Sequence, residues 1–238
     1  MIISTSAIVL SYTKYSDASI IVNCLTEKLG RQSFLVYGIG GRKNNKLSLF
    51  QPLFIIDVQM YNKTNRSLQK AKEVKINPPL FNITSDIKKS TLVLFLAELI
   101  SKSVNEEYSD ENLFSFIKTS ILILEEIEHG VGLFHIAFLL KMAKIIGILP
   151  ELNHNHSYID LKDGSTLMSK PPHHFFISAQ QIKVWETIAD TPYESLAKLS
   201  ISKAEKEILL NSIVQLYELH ILNFNTLKSY AILKEVYS

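Results

Sequence analysis

A proline pair, Asn77-Pro78-Pro79, divides the chain into two segments that repeat their apolar residues at different periods. Proline lacks a backbone N–H and holds the residue before it out of the helical region, so no regular element runs through such a pair. Upstream, short runs rich in Ile, Val, Phe and Tyr are separated by polar or glycine-containing turns. They predict strands over 7–11, 18–26, 32–38, 50–61 and 67–75. Glu27-Lys28-Leu29-Gly30-Arg31 predicts a hairpin between the second and third. Five strands in so short a span point to a small barrel. The five-stranded OB-fold is the commonest of this size, and strand count alone leaves an SH3-like barrel open.

Downstream the period becomes helical. Thr84-Ser85-Asp86 is a cap cluster for a helix to about Val104, and Ser109-Asp110-Glu111 starts a second, with Gly130 as its C′ residue. A third runs from Leu133 to about Ile146. A polar, strand-like insert follows over 151–177 with a turn at Asp163-Gly164, and helices resume over 178–189, 192–199 and 202–219. The expected class is α+β: an N-terminal five-stranded OB-fold barrel over 1–77, then a helical domain over 80–238 interrupted by a short irregular insert.

The near-neutral net charge of +2 hides a split along this boundary. Residues 1–75 hold eleven Lys and Arg against four acids, a net of +7, and the rest of the chain carries −5. Such asymmetry points to a polyanion-binding module beside an acidic one. The single cysteine, Cys24, excludes an internal disulfide and a cysteine-based zinc finger. It lies in an apolar strand and reads as buried and inert. The N-terminus lacks a basic start and a small-residue cleavage site, so no signal peptide is expected and the reading is cytoplasmic. The longest apolar stretch, 131–149, is broken by His135, Lys141 and Lys144, which reads as a core helix and not a membrane span.

The segment from Gly38 to Lys46 combines three glycines with Arg42, Lys43 and Lys46. Glycine lets backbone N–H groups approach phosphate, and the cations add attraction. It is neither a Walker A loop nor a dinucleotide fingerprint, because the Lys-Ser/Thr pair and a following helix are absent. A solvated hairpin tip is the competing reading. Aromatic residues lie among these cations, as single-strand binding requires flat rings for bases to stack on. Phe34 and Phe54 are expected inside, with Tyr12, Tyr15, Tyr37 and Tyr61 the surface candidates.

Other constellations are weaker. His154, His156, His173 and His174 bracket the insert at a spacing that suits four ligands, but an all-histidine structural zinc site would be unusual, and a surface loop explains them as well. His129, His135 and His220 read as satisfied helix residues. No nucleophile or metalloprotease motif is present, and Glu106-Glu107 and Glu125-Glu126 read as solvated helix faces. Phe138 beside Lys141 and Lys144 could seat a peptide with an aromatic end and a free carboxylate; a core helix with snorkelling lysines is the alternative.

The order of several segments resembles the bacterial RecO family. Ala7-Ile8-Val9-Leu10, then Tyr15-Ser16-Asp17-Ala18-Ser19-Ile20-Ile21-Val22, then Leu25-Thr26-Glu27-Lys28-Leu29-Gly30 look like its opening strands. Val36-Tyr37-Gly38-Ile39-Gly40-Gly41-Arg42-Lys43 and Leu49-Phe50-Gln51-Pro52-Leu53 resemble its glycine-basic turn and Leu-Gln-Pro strand. Phe134-His135-Ile136-Ala137-Phe138-Leu139-Leu140 with Ile146-Gly147-Ile148-Leu149-Pro150-Glu151-Leu152 is similar to its third-helix segment.

The resemblance implies a non-enzymatic recombination mediator whose barrel binds single- and double-stranded DNA. It implies strand annealing and, together with RecR, help for RecA in loading onto strands coated by single-strand binding protein. It places the acidic C-terminal tail of that protein on the helical domain, here on Phe138, Lys141 and Lys144. It places DNA on Arg31, Arg42, Lys43 and Lys46, and Tyr37 is the surface tyrosine expected to bind DNA with them. The family's four-cysteine zinc site has none of its cysteines here, so no cofactor is expected. The competing class is a protein-interaction scaffold whose barrel does not bind nucleic acid; a hydrolase built on the histidine-containing insert is a distant third.

Overall fold

The computed structural model describes residues 2–39, 46–61, 68–104, 109–152, 156–224 and 226–237. By packing, the chain divides into two compact units, Met1–Glu125 and Glu126–Ser238. The expected division at Asn77-Pro78-Pro79 is where strands give way to helices; compactness changes later, because the first helices pack with the barrel.

Five strands, β1 (Ile2–Ser16), β2 (Ser19–Thr26), β3 (Gly30–Tyr37), β4 (Ile55–Tyr61) and β5 (Leu68–Ile76), close into a barrel in the order β1-β2-β3-β5-β4. This is an OB-fold barrel. The long β1 serves two neighbours: Ile2–Ile8 pairs with β4, and Ala7–Ser16 pairs with β2 across register shifts near Leu10 and Tyr15. Shifts of this kind bend a strand and let it turn round a small barrel. Val22, Cys24, Phe34, Val58 and Met60 fill the interior. Burial pushes the Cys24 thiol up, which keeps it protonated and unreactive.

Among the described residues the β3–β5 joint is the only parallel one, and there Ser33, Phe34 and Leu35 pair with Leu68, Gln69 and Lys70. Beyond Leu35 the ladder stops. A short 3-10 helix over Lys46–Phe50 lies beside this opening and buries Phe50.

Three helices complete the first unit: α1 (Asn82–Ser85), α2 (Ile87–Ser103) and α3 (Glu111–Glu126). Asp86 caps α2, accepting from the backbone N–H of Lys88 and Lys89. Glu125 is not the solvated acid expected from sequence. It is 6% exposed, and its carboxylate accepts from the backbone N–H groups of Phe81, Asn82 and Ile83. Burial alone would raise its pKa; those three donors and the nearby Lys89 outweigh burial and lower it. Its carbonyl accepts from Lys89 Nζ and Asn82 Nδ2, so side chains satisfy the end of α3 where the helix stops.

The second unit holds α4 (Val131–Ile145), α5 (Ala179–Asp190), α6 (Lys203–His220) and α7 (Lys228–Tyr237). Gly130 was expected to close α3; it stands instead directly before α4 with φ +80°. A Cβ there would come within 3.0 Å of the Ala197 backbone nitrogen, so glycine is required by both backbone and space. The expected irregular insert is a small antiparallel sheet, β7-β6-β8, from β6 (Tyr158–Asp160), β7 (Thr166–Leu167) and β8 (Phe176–Ser178). Among the described residues no helix is long and apolar enough to cross a membrane.

Candidate nucleic-acid interface

Side chains alternate faces along a strand. On β3 this puts Phe34 and Val36 inside the barrel and Arg31, Ser33, Leu35 and Tyr37 outside. The outer face is crossed by a polar ladder: Ser33 Oγ donates to Asn23 Oδ1 at 2.8 Å, and Asn23 Nδ2 donates to Ser11 Oγ at 3.1 Å. These bonds hold β1, β2 and β3 together on the face an OB-fold uses for oligonucleotides.

The two ends of that face differ. At one end Arg31 donates from Nη1 to the Ser101 carbonyl at 2.8 Å and from Nη2 to Ser101 Oγ at 3.2 Å. The arginine read as a phosphate contact is thus fastened to α2. At the other end, six residues or about 20 Å along β3, Tyr37 is 53% exposed.

Lys70 Nζ sits 5.3 Å from the Tyr37 ring centroid, over its face. Where the β3–β5 ladder has stopped, an open groove of about 490 Å³ is lined by Val36, Tyr37, Lys46, Leu49, Lys70 and Lys72 among others. Gly38, at φ +81°, turns the chain out of β3, and the N–H groups of Gly38 and Ile39 both donate to the Ala18 carbonyl. Lys46 Nζ lies 3.6 Å from where a Gly38 Cβ would stand, so both ends of the glycine-basic segment meet at the groove. Arg42 and Lys43 lie outside the described residues.

The structure therefore brings together Tyr37 and Lys46 and adds Lys70 and Lys72, which sequence reasoning did not single out. The signal for them was present as alternate basic residues on the last barrel strand. What was lacking was the knowledge that the last strand lies beside the third. The other aromatic expectations match the structure: Phe34 and Phe54 are buried, and Tyr12, Tyr15 and Tyr61 are exposed.

The family model described as Recombination protein O N terminal matches residues 1–79, and the one described as Recombination protein O C terminal matches residues 84–230. The chain belongs to the RecO family. Proteins named DNA repair protein RecO align over the whole of both chains. That of Azobacteroides pseudotrichonymphae is 32% identical, that of Flavobacterium psychrophilum 31%, and that of Bacteroides fragilis (strain ATCC 25285) 33%. RecO membership gives the chain a role in DNA repair.

The helical part of this RecO family member departs from the expected peptide seat. Phe138 is 1% exposed. Lys141 donates to the Ala189 carbonyl at 2.5 Å and lies over the Tyr193 ring; burial, with Lys144 adding to it, lowers its pKa against the pull of Asp190 and Glu194. Only Lys144 of the three is open to solvent. Cations converge elsewhere. A cavity of about 90 Å³ between α4, α6 and α7 is lined by Gly132, His135, Lys203, Lys206, Lys234 and Tyr237 among others. His135, 3% exposed, is held neutral there, its pKa driven down to about 3 by burial and by the charge of Lys206.

In the insert, His173 bonds Asp160 at 2.9 Å, His174 packs on Phe175, and His220 of α6 bonds the Leu161 carbonyl. His154 lies outside the described residues. Among the described residues no three His, Cys, Asp or Glu side chains converge as metal ligands.

Proposed function

We propose that this chain acts as a recombination mediator, with DNA on the barrel and proteins on the helices. The observation that carries the reading is the groove at the end of β3, where Tyr37, Lys46, Lys70 and Lys72 share one surface on a strongly basic segment. Lysines there neutralise backbone phosphates without reading sequence, which suits a protein that must hold any single strand or duplex. In this reading residues 1–77 form the nucleic-acid domain and 80–238 the partner domain. The chain works without catalysis in the cytoplasm at the nucleoid, annealing strands and, with RecR, helping RecA replace single-strand binding protein.

The acidic tail of single-strand binding protein is best received by the cavity between α4, α6 and α7. Lys203, Lys206 and Lys234 supply charge for its carboxylates, and Leu210, Leu233 and Tyr237 supply apolar surface.

Titration of labelled single-stranded DNA at two salt concentrations tests the barrel. Three phosphate contacts predict that log affinity falls against log salt with a slope of about −2. Binding that is absent, or indifferent to salt, returns the barrel to the scaffold reading.

A further inference from the structure

Phosphate attraction alone does not separate single strands from duplex, yet the groove contains a pair of side chains that can. We propose that Tyr37 and Lys70 form a subsite for one unpaired base and its phosphate, through which the barrel favours single strands. This rests on the groove being the nucleic-acid interface.

Three observations converge on it. Lys70 Nζ occupies one side of the Tyr37 ring at 5.3 Å, which leaves the rest of a half-exposed ring for stacking. The cation fixes the ring beside the groove and places a positive charge where the phosphate of a stacked nucleotide would lie. Val36 and Leu49 give the groove an apolar lining suited to a base, and Lys46 and Lys72 flank it for neighbouring phosphates. Glu73, which also lines the groove, is paired with Lys75 at 3.0 Å, so its charge is offset within the protein. A duplex brings two backbones and keeps the faces of its bases covered by their neighbours. A single strand brings one backbone and can offer a bare face.

The test compares three labelled probes of about 20 units, long enough to span an OB-fold site: oligothymidylate, a strand of the same length without bases, and a duplex. Full-length protein is titrated with each by fluorescence anisotropy at one salt concentration. The expected result is a wild-type preference for oligothymidylate over the abasic strand. Tyr37→Ala and the bulkier Tyr37→Leu should each reduce oligothymidylate affinity about 5- to 150-fold, with a much smaller change on the abasic strand and the duplex. Tyr37→Phe should restore the preference. Lys70→Gln should weaken the thymidylate and abasic strands alike, since it removes a phosphate partner. Equal loss on all three probes in the Tyr37 variants, or no loss, overturns the subsite while the groove stands. Failure of the wild type to bind any probe overturns both.

Discussion

Arg31 and Ser101 are joined by two hydrogen bonds, so one guanidinium links the third barrel strand to the C-terminal turn of α2. Hydrogen bonds from a charged donor contribute more than neutral ones, about 1.5–3 kcal/mol each before solvent screening. Arg31→Ala should therefore lower stability by about 1–3 kcal/mol in urea unfolding. The salt slope of DNA binding should stay unchanged. A flatter slope with unchanged stability would return Arg31 to the phosphate surface.

Glu125 makes a second stability prediction, with a sign that can be worked out. Its folded pKa lies below the ordinary carboxylate value, so its contribution is present above about pH 4.5 and is lost as pH falls through the folded value. Glu125→Gln should cost about 1–3 kcal/mol at pH 7, because the neutral amide serves the three N–H donors less well. The same substitution should flatten stability against pH between 5 and 3. Urea titrations of both proteins across that range check it.

His135 acts at a higher pH. It is buried neutral with a folded pKa of about 3 against an ordinary 6.5. Stability from this group is complete above pH 6.5 and declines as the unfolded chain takes up the proton that the folded chain refuses. From pH 7.5 to 5.5 the loss should be about 1 kcal/mol. His135→Gln should show a shallower decline over that interval in the same assay.

Lys206 tests the partner cavity separately from the barrel. Lys206→Glu should weaken an acidic peptide ending in an aromatic residue by about tenfold or more, through reversal of one charge in a partly enclosed site. Affinity for oligothymidylate should change far less. Calorimetry with the peptide and anisotropy with the oligonucleotide separate the two. Equal effects on both would remove the peptide from this cavity.

Gly130→Ala should be strongly destabilising, by about 2 kcal/mol or more, since it combines a left-handed backbone with a 3.0 Å approach to the Ala197 nitrogen. A thermal melt within a degree of wild type would contradict this.

Strand and helix identity were legible in the sequence because apolar spacing reports which face is buried. Val22, Cys24 and Phe34 therefore fell where expected, as did the open tyrosines. Long-range partnership was not legible. Nothing near Arg31 announces Ser101, seventy positions away, and nothing near Glu125 announces the amides of Phe81 to Ile83. A charged residue looks the same in one dimension whether it meets water or the end of a helix. Helix α7 was missed although its pattern is amphipathic; it is only ten residues long, and Leu233 is its one fully buried residue. The groove was half legible: Tyr37 and Lys46 stand near a glycine turn, whereas Lys70 and Lys72 joined them only through the parallel β3–β5 contact.

That contact is three residues long among the described residues. Among those residues every other joint of the barrel is a longer antiparallel ladder. Among the described residues the ladder stops after Leu35, and the groove beside Tyr37 lies where it stops. At the other end of β3, Arg31 ties the strand to Ser101 of α2. One strand thus carries a tether at one end and an open groove at the other.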